Sequence, residues 1–320
     1  MSDINNNLDF LNDDDGLGDE GVGGGQFKTV SLFNPDLKYR GKTIIGPTGG
    51  YALLNETGNA PDIGPAIDLA YSDGKTKKNR IAQTLDIAII GASGQSLNGK
   101  TQYMPYVAVA GKDDQGNGYF LPAPEWMGPE SFPVDAEGKA TGKSLTAFDL
   151  FIVLKADPAR NLYRLTVKNH DAARKMPALL TEAMGLAETT KSGLGVKNLR
   201  VFGNWLRLGV SEAFLSGKAP NQALVVSPAL ALPDGVYVPD LFVGRDDYQV
   251  FVQHRIMLDE YLTGDPYLLS LSRNNKGLRA ALPEPVKARM IAAQQRGPAA
   301  LPAPMVTPQA VDAVLTGTTI

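Results

Sequence analysis

The sequence predicts an α+β protein: an antiparallel β-rich sheet or partly open barrel, OB-like in its simplest form, followed by a smaller helical C-terminal part. Three observations predict it. Strand signals crowd residues 27–168, and helical periodicity begins only after them. The order lacks the regular β-α-β alternation of a doubly wound parallel sheet. Clusters of Gly, Asp, Asn and Pro separate the apolar runs at short intervals.

The elements follow in order. Residues 1–26 are rich in Asn, Asp and Gly and read as a disordered acidic leader. "FKTVSLFN" (27–34) alternates in part, and "GKTIIG" (41–46) leads into "GPTGGYALLN" (46–55), whose glycines suggest a bend. "TLDIAIIGA" (84–92) is a short apolar run, and "QYMPYVAVAG" (102–111) is aromatic and β-branched. "KDDQGNG" (112–118) is a turn cluster ahead of "YFLPAPEW" (119–126). "LTAFDLFIVLKA" (145–156) and "NLYRLTVKN" (161–169) flank "DPAR" as a hairpin.

The first clear helix is expected to start at Pro177, because proline suits the first helical position. Residues 198–215 fit an amphipathic helix or a strand, and a hairpin with 222–232 around "SGKAPN" is preferred. The strongest helix is "RDDYQVFVQHRIMLDEYLTG" (245–264). Asp246 or Asp247 caps it, Gly264 ends it, and Phe251, His254, Met257, Leu258 and Tyr261 share a side. "EPVKARMIAAQQRG" (284–297) is a shorter helix. The predicted organisation is a leader (1–26), a β-rich domain (27–235) with an inserted helix near 177–190, a helical segment packed on it (236–297), and a Pro-rich tail (298–320).

Composition narrows the chemistry. The 320 residues include no cysteine, which excludes disulfides, thiol catalysis and cysteine-ligated metal sites. No apolar run approaches the ~18 residues of a membrane span. The N-terminus has neither the basic start nor the apolar stretch of a secretory signal. A cytoplasmic protein without membrane contact, cofactor or metal is expected. Charge is uneven. Residues 1–25 carry seven acidic groups (Asp3, Asp9, Asp13, Asp14, Asp15, Asp19, Glu20) and no basic one. The rest carries 31 basic against 34 − 7 = 27 acidic groups, or +4. An acidic leader on a mildly basic body points to nucleic acid as a ligand, with the leader open to a protein partner.

One motif suggests an enzyme. "GQSLNGKT" (94–101) fits the phosphate-loop pattern at Gly94, Gly99, Lys100 and Thr101. Such a loop needs a helix starting at its Lys-Thr, whose amides hold the phosphates. Here "QYMPYVAVAG" follows, with Pro105 in the first turn and an apolar period near two. The expectation is a connection between two antiparallel strands, with a nucleotide hydrolase as a minor alternative. Only two histidines exist, His170 and His254, and nothing pairs them. Ser93 misses a nucleophile elbow by one residue.

The basic residues carry the main expectation. "DGKTKKNR" (73–80) offers Lys75, Lys77, Lys78 and Arg80, and "LKYRGK" (37–42) offers Lys38 and Lys42 around Tyr39. Lys100 lies near Tyr103 and Tyr106. Cations that track phosphates beside rings that stack on bases are what single-strand binding of low sequence specificity needs. In arrangement alone the chain resembles single-strand-binding proteins with acidic tails, which carry the tail at the other end. The expected function is a non-enzymatic nucleic-acid-binding accessory protein of phage or plasmid type, favouring single strands. The alternative is a structural or assembly subunit of a virion, filament or scaffold, for which an oligomer is expected.

Overall fold

The computed structural model describes residues 27–35, 38–39, 42–43, 49–55, 58–70, 76–97, 100–112, 118–122, 143–217, 223–232, 235–262, 284, 287 and 288. The predicted leader, the Pro-rich tail, Lys75 and nearly all of the helix expected at 284–297 lie outside them. The fold is a mixed α+β one, with a large sheet and two long helices.

The chain enters through β1 (Lys28–Phe33), then a small ladder of β2 (Lys38–Tyr39) and β3 (Lys42–Thr43). β4 (Gly50–Leu54), β5 (Ala66–Ala70) and β6 (Thr76–Ala82) form a wing beside β1. β7 (Leu85–Ala92) leads to the hairpin of β8 (Gly94–Leu97) and β9 (Lys100–Tyr103). β10 (Tyr106–Lys112) and β11 (Gly118–Pro122) follow, then β12 (Lys143–Leu154) and β13 (Leu162–Val167). Helix α1 (His170–Leu194) precedes β14 (Leu206–Val210). β15 (Phe214–Ser216) and β16 (Ala223–Val225) pair with each other, and β17 (Pro228–Leu230) pairs β14. This is the hairpin expected between 198–215 and 222–232. Helix α2 (Arg245–Leu262) closes the described fold close to its predicted place.

The 11-stranded sheet runs β17-β14-β7-β12-β13-β1-β4-β6-β5, with β10 on β12 and β11 on β10. All its pairs are antiparallel except β1 with β13. More than a hundred residues separate those two, room for the crossover a parallel pair requires. The sheet is not closed into a barrel, but it is strongly curled. The Tyr51 hydroxyl on β4 donates to the Gly209 carbonyl on β14 at 2.6 Å, although five strand steps separate them in the sheet order. A flat sheet would put those strands ~24 Å apart.

The helices cover opposite faces. Ile87, Ile89, Leu150 and Ile152 pack with Met176, Leu180 and Ala183 of α1. Ala88, Ile90, Phe151 and Val153 pack with Phe251 and Leu258 of α2. Covered on both sides, β7 and β12 read as continuous apolar runs rather than alternating ones. A register shift between β7 and β12 leaves Ile90 as an extra residue, and its carbonyl accepts from Arg255 Nη1 at 3.1 Å. At the adjacent Gly91 an added Cβ would come within 2.6 Å of Leu258 Cδ2 and 2.7 Å of Arg255 Nη1, so any side chain there would push these two aside.

α1 begins earlier than Pro177. Asn169 caps it, its side chain accepting from the amides of Asp171 and Ala172, and Pro177 stands inside the helix. The buried stripe from Ala172 and Ala173 through Met176 to Leu180 holds the first turns in place. Packing of an apolar face outweighs the local preference of one proline. Gly195 ends the helix at φ 69°, a left-handed cap in which its amide bonds back to Lys191 and Ser192.

Candidate functional site

Two groups of charges stand out, one inside the fold and one at its surface. The inner group centres on Asp149, a fully buried carboxylate on β12. Tyr106 donates its hydroxyl to Asp149 at 2.8 Å, and Thr166 does so at 2.7 Å. Arg164 forms an ion pair with it at 2.8 Å. Burial opposes the Arg164 charge, but Asp149 and the neighbouring phenols outweigh it and hold the guanidinium well above its ordinary value. Lys168 lies two strand positions beyond Thr166. Burial, and then the Arg164 charge, pull its pKa down to about 7 against the opposing pull of Asp149. Burial also raises the Tyr261 hydroxyl above this cluster.

The β12–β13 connection is built around a second buried carboxylate, Asp157. It accepts from the Ala159 amide, from both the amide and side chain of Asn161, and from the Tyr163 hydroxyl at 2.8 Å. Burial would raise its pKa, but these bonds outweigh that and leave it lowered. The loop so fixed presents Arg160 at φ 50°, the one non-glycine with positive φ among the described residues. Arg160 grips Asp247 of α2 through Nε at 2.7 Å and Nη2 at 3.1 Å, and its carbonyl meets His254 Nε2 at 2.6 Å. His254 is thus a packing partner of this loop.

The outer group begins beside that loop. Trp205 is partly buried, with Phe251 edge-on at 5.5 Å. The Arg160 guanidinium lies 5.2 Å and the Lys155 ammonium 5.9 Å from its ring centre. Lys155 is exposed and lines a cavity of about 290 Å³ together with Asp62, Thr84 and Asp86. Asp62 reaches Arg80 on β6 at 3.2 Å, and Arg80 also donates to the Gly64 carbonyl at 3.0 Å. Lys78, two positions away on the same face, is exposed and stands opposite Asp68 of β5. β1 extends the row. Val30 pairs Leu53 and Leu53 pairs Arg80, so Lys28 shares a row with Lys78 two strands away, ~10 Å. Lys28 is exposed, its ammonium 5.8 Å from the Tyr163 ring centre. Among the described residues Lys28, Lys78 and Lys155 have no carboxylate within ion-pair distance, whereas Arg80, Arg160 and Arg207 each have one. Lys28 and Lys78 thus form one exposed pair and Lys155 with Trp205 a second, and Asp62, which holds Arg80 and lines the Lys155 cavity, links the two into a cationic track.

The residues expected to bind nucleic acid are spread over three places. Lys38 and Tyr39 lie on β2 and Lys42 on β3, a ladder apart from the large sheet. Lys77, Lys78 and Arg80 lie on β6. Lys100 and Tyr103 lie on β9, and Tyr106 on β10 beside β12, four strand steps from β6. Tyr106 is fully buried with its hydroxyl on Asp149, so its ring offers no face to a base. Tyr103 is partly buried, and burial above all raises its hydroxyl pKa. Lys100 and Thr101 continue a strand paired back to β8, so no helix N-terminus stands at the phosphate-loop match. No group of three or more potential metal-ligating side chains occurs among the described residues, and no described helix is long and apolar enough to cross a membrane. Sequence reading missed Lys28, Lys155 and Trp205. The alternation in "FKTVSLFN" and the cations flanking "DPAR" were the available signals. No family model, curated protein or solved structure matches the chain.

Proposed function

We propose that the protein is a non-enzymatic nucleic-acid-binding accessory protein that favours single strands and reads little sequence. The observation that carries this is the track: exposed lysines without carboxylate partners among the described residues, running to a partly exposed tryptophan. Lys28, Lys78 and Lys155 take the phosphates, and a base stacks on Trp205 where Lys155 now lies over the ring. Strands β1, β6 and β12, distant along the chain, lie within four steps of one another in the sheet order. Three phosphate contacts on a single strand give a salt slope of roughly −2. Polarisation of a labelled oligothymidylate over a salt series tests this. Binding that weakens with that slope and quenches Trp205 supports it, and no binding at low salt defeats it.

A second reading rests on a different observation. Leu215 and Leu224 face each other across the β15–β16 ladder and are 63% and 39% exposed. An apolar pair on a small hairpin suits a contact between subunits of an assembly. Light scattering decides: a monomer at every concentration removes this reading.

A further inference from the structure

We propose that the acidic segment, residues 1–25, is itself a ligand of the cationic track and covers it until a nucleic acid displaces it. This rests on the same track as the function proposed above. Charge is the first argument. The segment holds seven carboxylates and no cation, and the track holds three lysines without carboxylate partners among the described residues. Carboxylates and phosphates are both oxygen anions, so the site that takes one accepts the other.

The point of attachment is the second argument. Phe27 packs its ring on Phe151 and Tyr261, each at 5.1 Å, which fixes where the segment leaves the fold. The next residue is Lys28, already part of the track. Asp19 and Glu20 precede it by nine and eight residues, a reach of ~26–32 Å for fully extended chain, and Lys78 is only ~10 Å from Lys28.

Energetics completes the case. Exposed ion pairs each contribute little, so a free acidic peptide would bind such a surface weakly. Tethering raises the effective concentration to the millimolar range, enough to occupy a weak site. The same weakness lets a polyanion of higher charge density, or salt, remove the segment.

Zero-length carbodiimide coupling of the full-length chain, followed by peptide mapping, tests the contact directly. Coupling of the segment's carboxylates to Lys28, Lys78 and Lys155, lost on adding oligothymidylate or high salt, is expected. Coupling spread evenly over other lysines, or none, overturns the proposal. The second measurement replaces all seven acidic residues with Asn or Gln in the full-length chain. If the uncovered state is about a tenth populated in the native chain, oligothymidylate binds the variant about tenfold more tightly at low salt. Equal affinities overturn the proposal. If neither chain binds, the nucleic-acid reading falls, and the coupling map alone decides whether the segment docks.

Discussion

Around Asp149 the charges are turned inward and bonded to one another; along the track from Lys28 to Trp205 they are turned outward. Both regions hold cations, aromatic rings and carboxylates, and both sit on the same sheet. In the first, Arg164, Tyr106 and Thr166 converge on one carboxylate inside the protein. In the second, three lysines have no such partner among the described residues, and their neighbours Arg80 and Arg160 are pinned by Asp62 and Asp247. The lesson is that residue type alone does not separate a structural charge from a binding one. Satisfaction by the fold does.

The largest effect is expected from breaking the inner region. Asp149→Ala leaves Arg164 buried without its carboxylate and costs about 3–5 kcal/mol, read as a lowered urea midpoint. Oligonucleotide affinity of the folded variant stays native, and a loss of binding in a stable variant would merge the two regions. Asp157→Ala removes four accepted hydrogen bonds and costs about 2–3 kcal/mol. Because its folded pKa is lowered, the stability Asp157 contributes is complete above pH ~4 and is lost as pH falls through the lower folded value. Acid titration of the unfolding midpoint, native against variant, measures it.

The outer region should behave oppositely. Lys78→Glu with Lys155→Glu weakens oligothymidylate binding at least tenfold and flattens the salt slope by about 1.4. Stability changes by no more than about 0.5 kcal/mol. A pH slope separates the regions further. Lys168 binds its proton less readily folded than unfolded, so stability rises with pH from about 7 towards the ordinary lysine value. Lys168→Met removes that rise, which paired denaturation curves at pH 7 and 9.5 detect.

Much of the fold was legible where the signal was local. α2 showed its acidic first turn and its apolar stripe, and "DPAR" marked the β12–β13 hairpin. α1 was placed seven residues late because Pro177 reads as a helix start, whereas Asn169 caps the helix. Its evidence is a bond from a side chain to two amides, weaker in sequence than a proline. Tyr106 looked like a stacking ring because nothing near it in sequence names Asp149, 43 residues away. The track was the least legible feature. Lys28, Lys78 and Lys155 come from three separate strands or their ends, and only the order of strands in the sheet relates them.

The parallel pair of β1 and β13 has a consequence in time. Lys28 pairs with Tyr163, a separation of 163 − 28 = 135 residues. β1 is the earliest of the described strands, yet one of its two sheet neighbours is made only after roughly 7–27 s more of synthesis at ~5–20 residues per second. The other neighbour, β4, belongs to the same early wing. Contacts of such long sequence separation form slowly, because loop closure precedes its reward. The wing therefore waits with one edge of β1 open until β13 is made, and only then does this early strand take its place in the middle of the sheet.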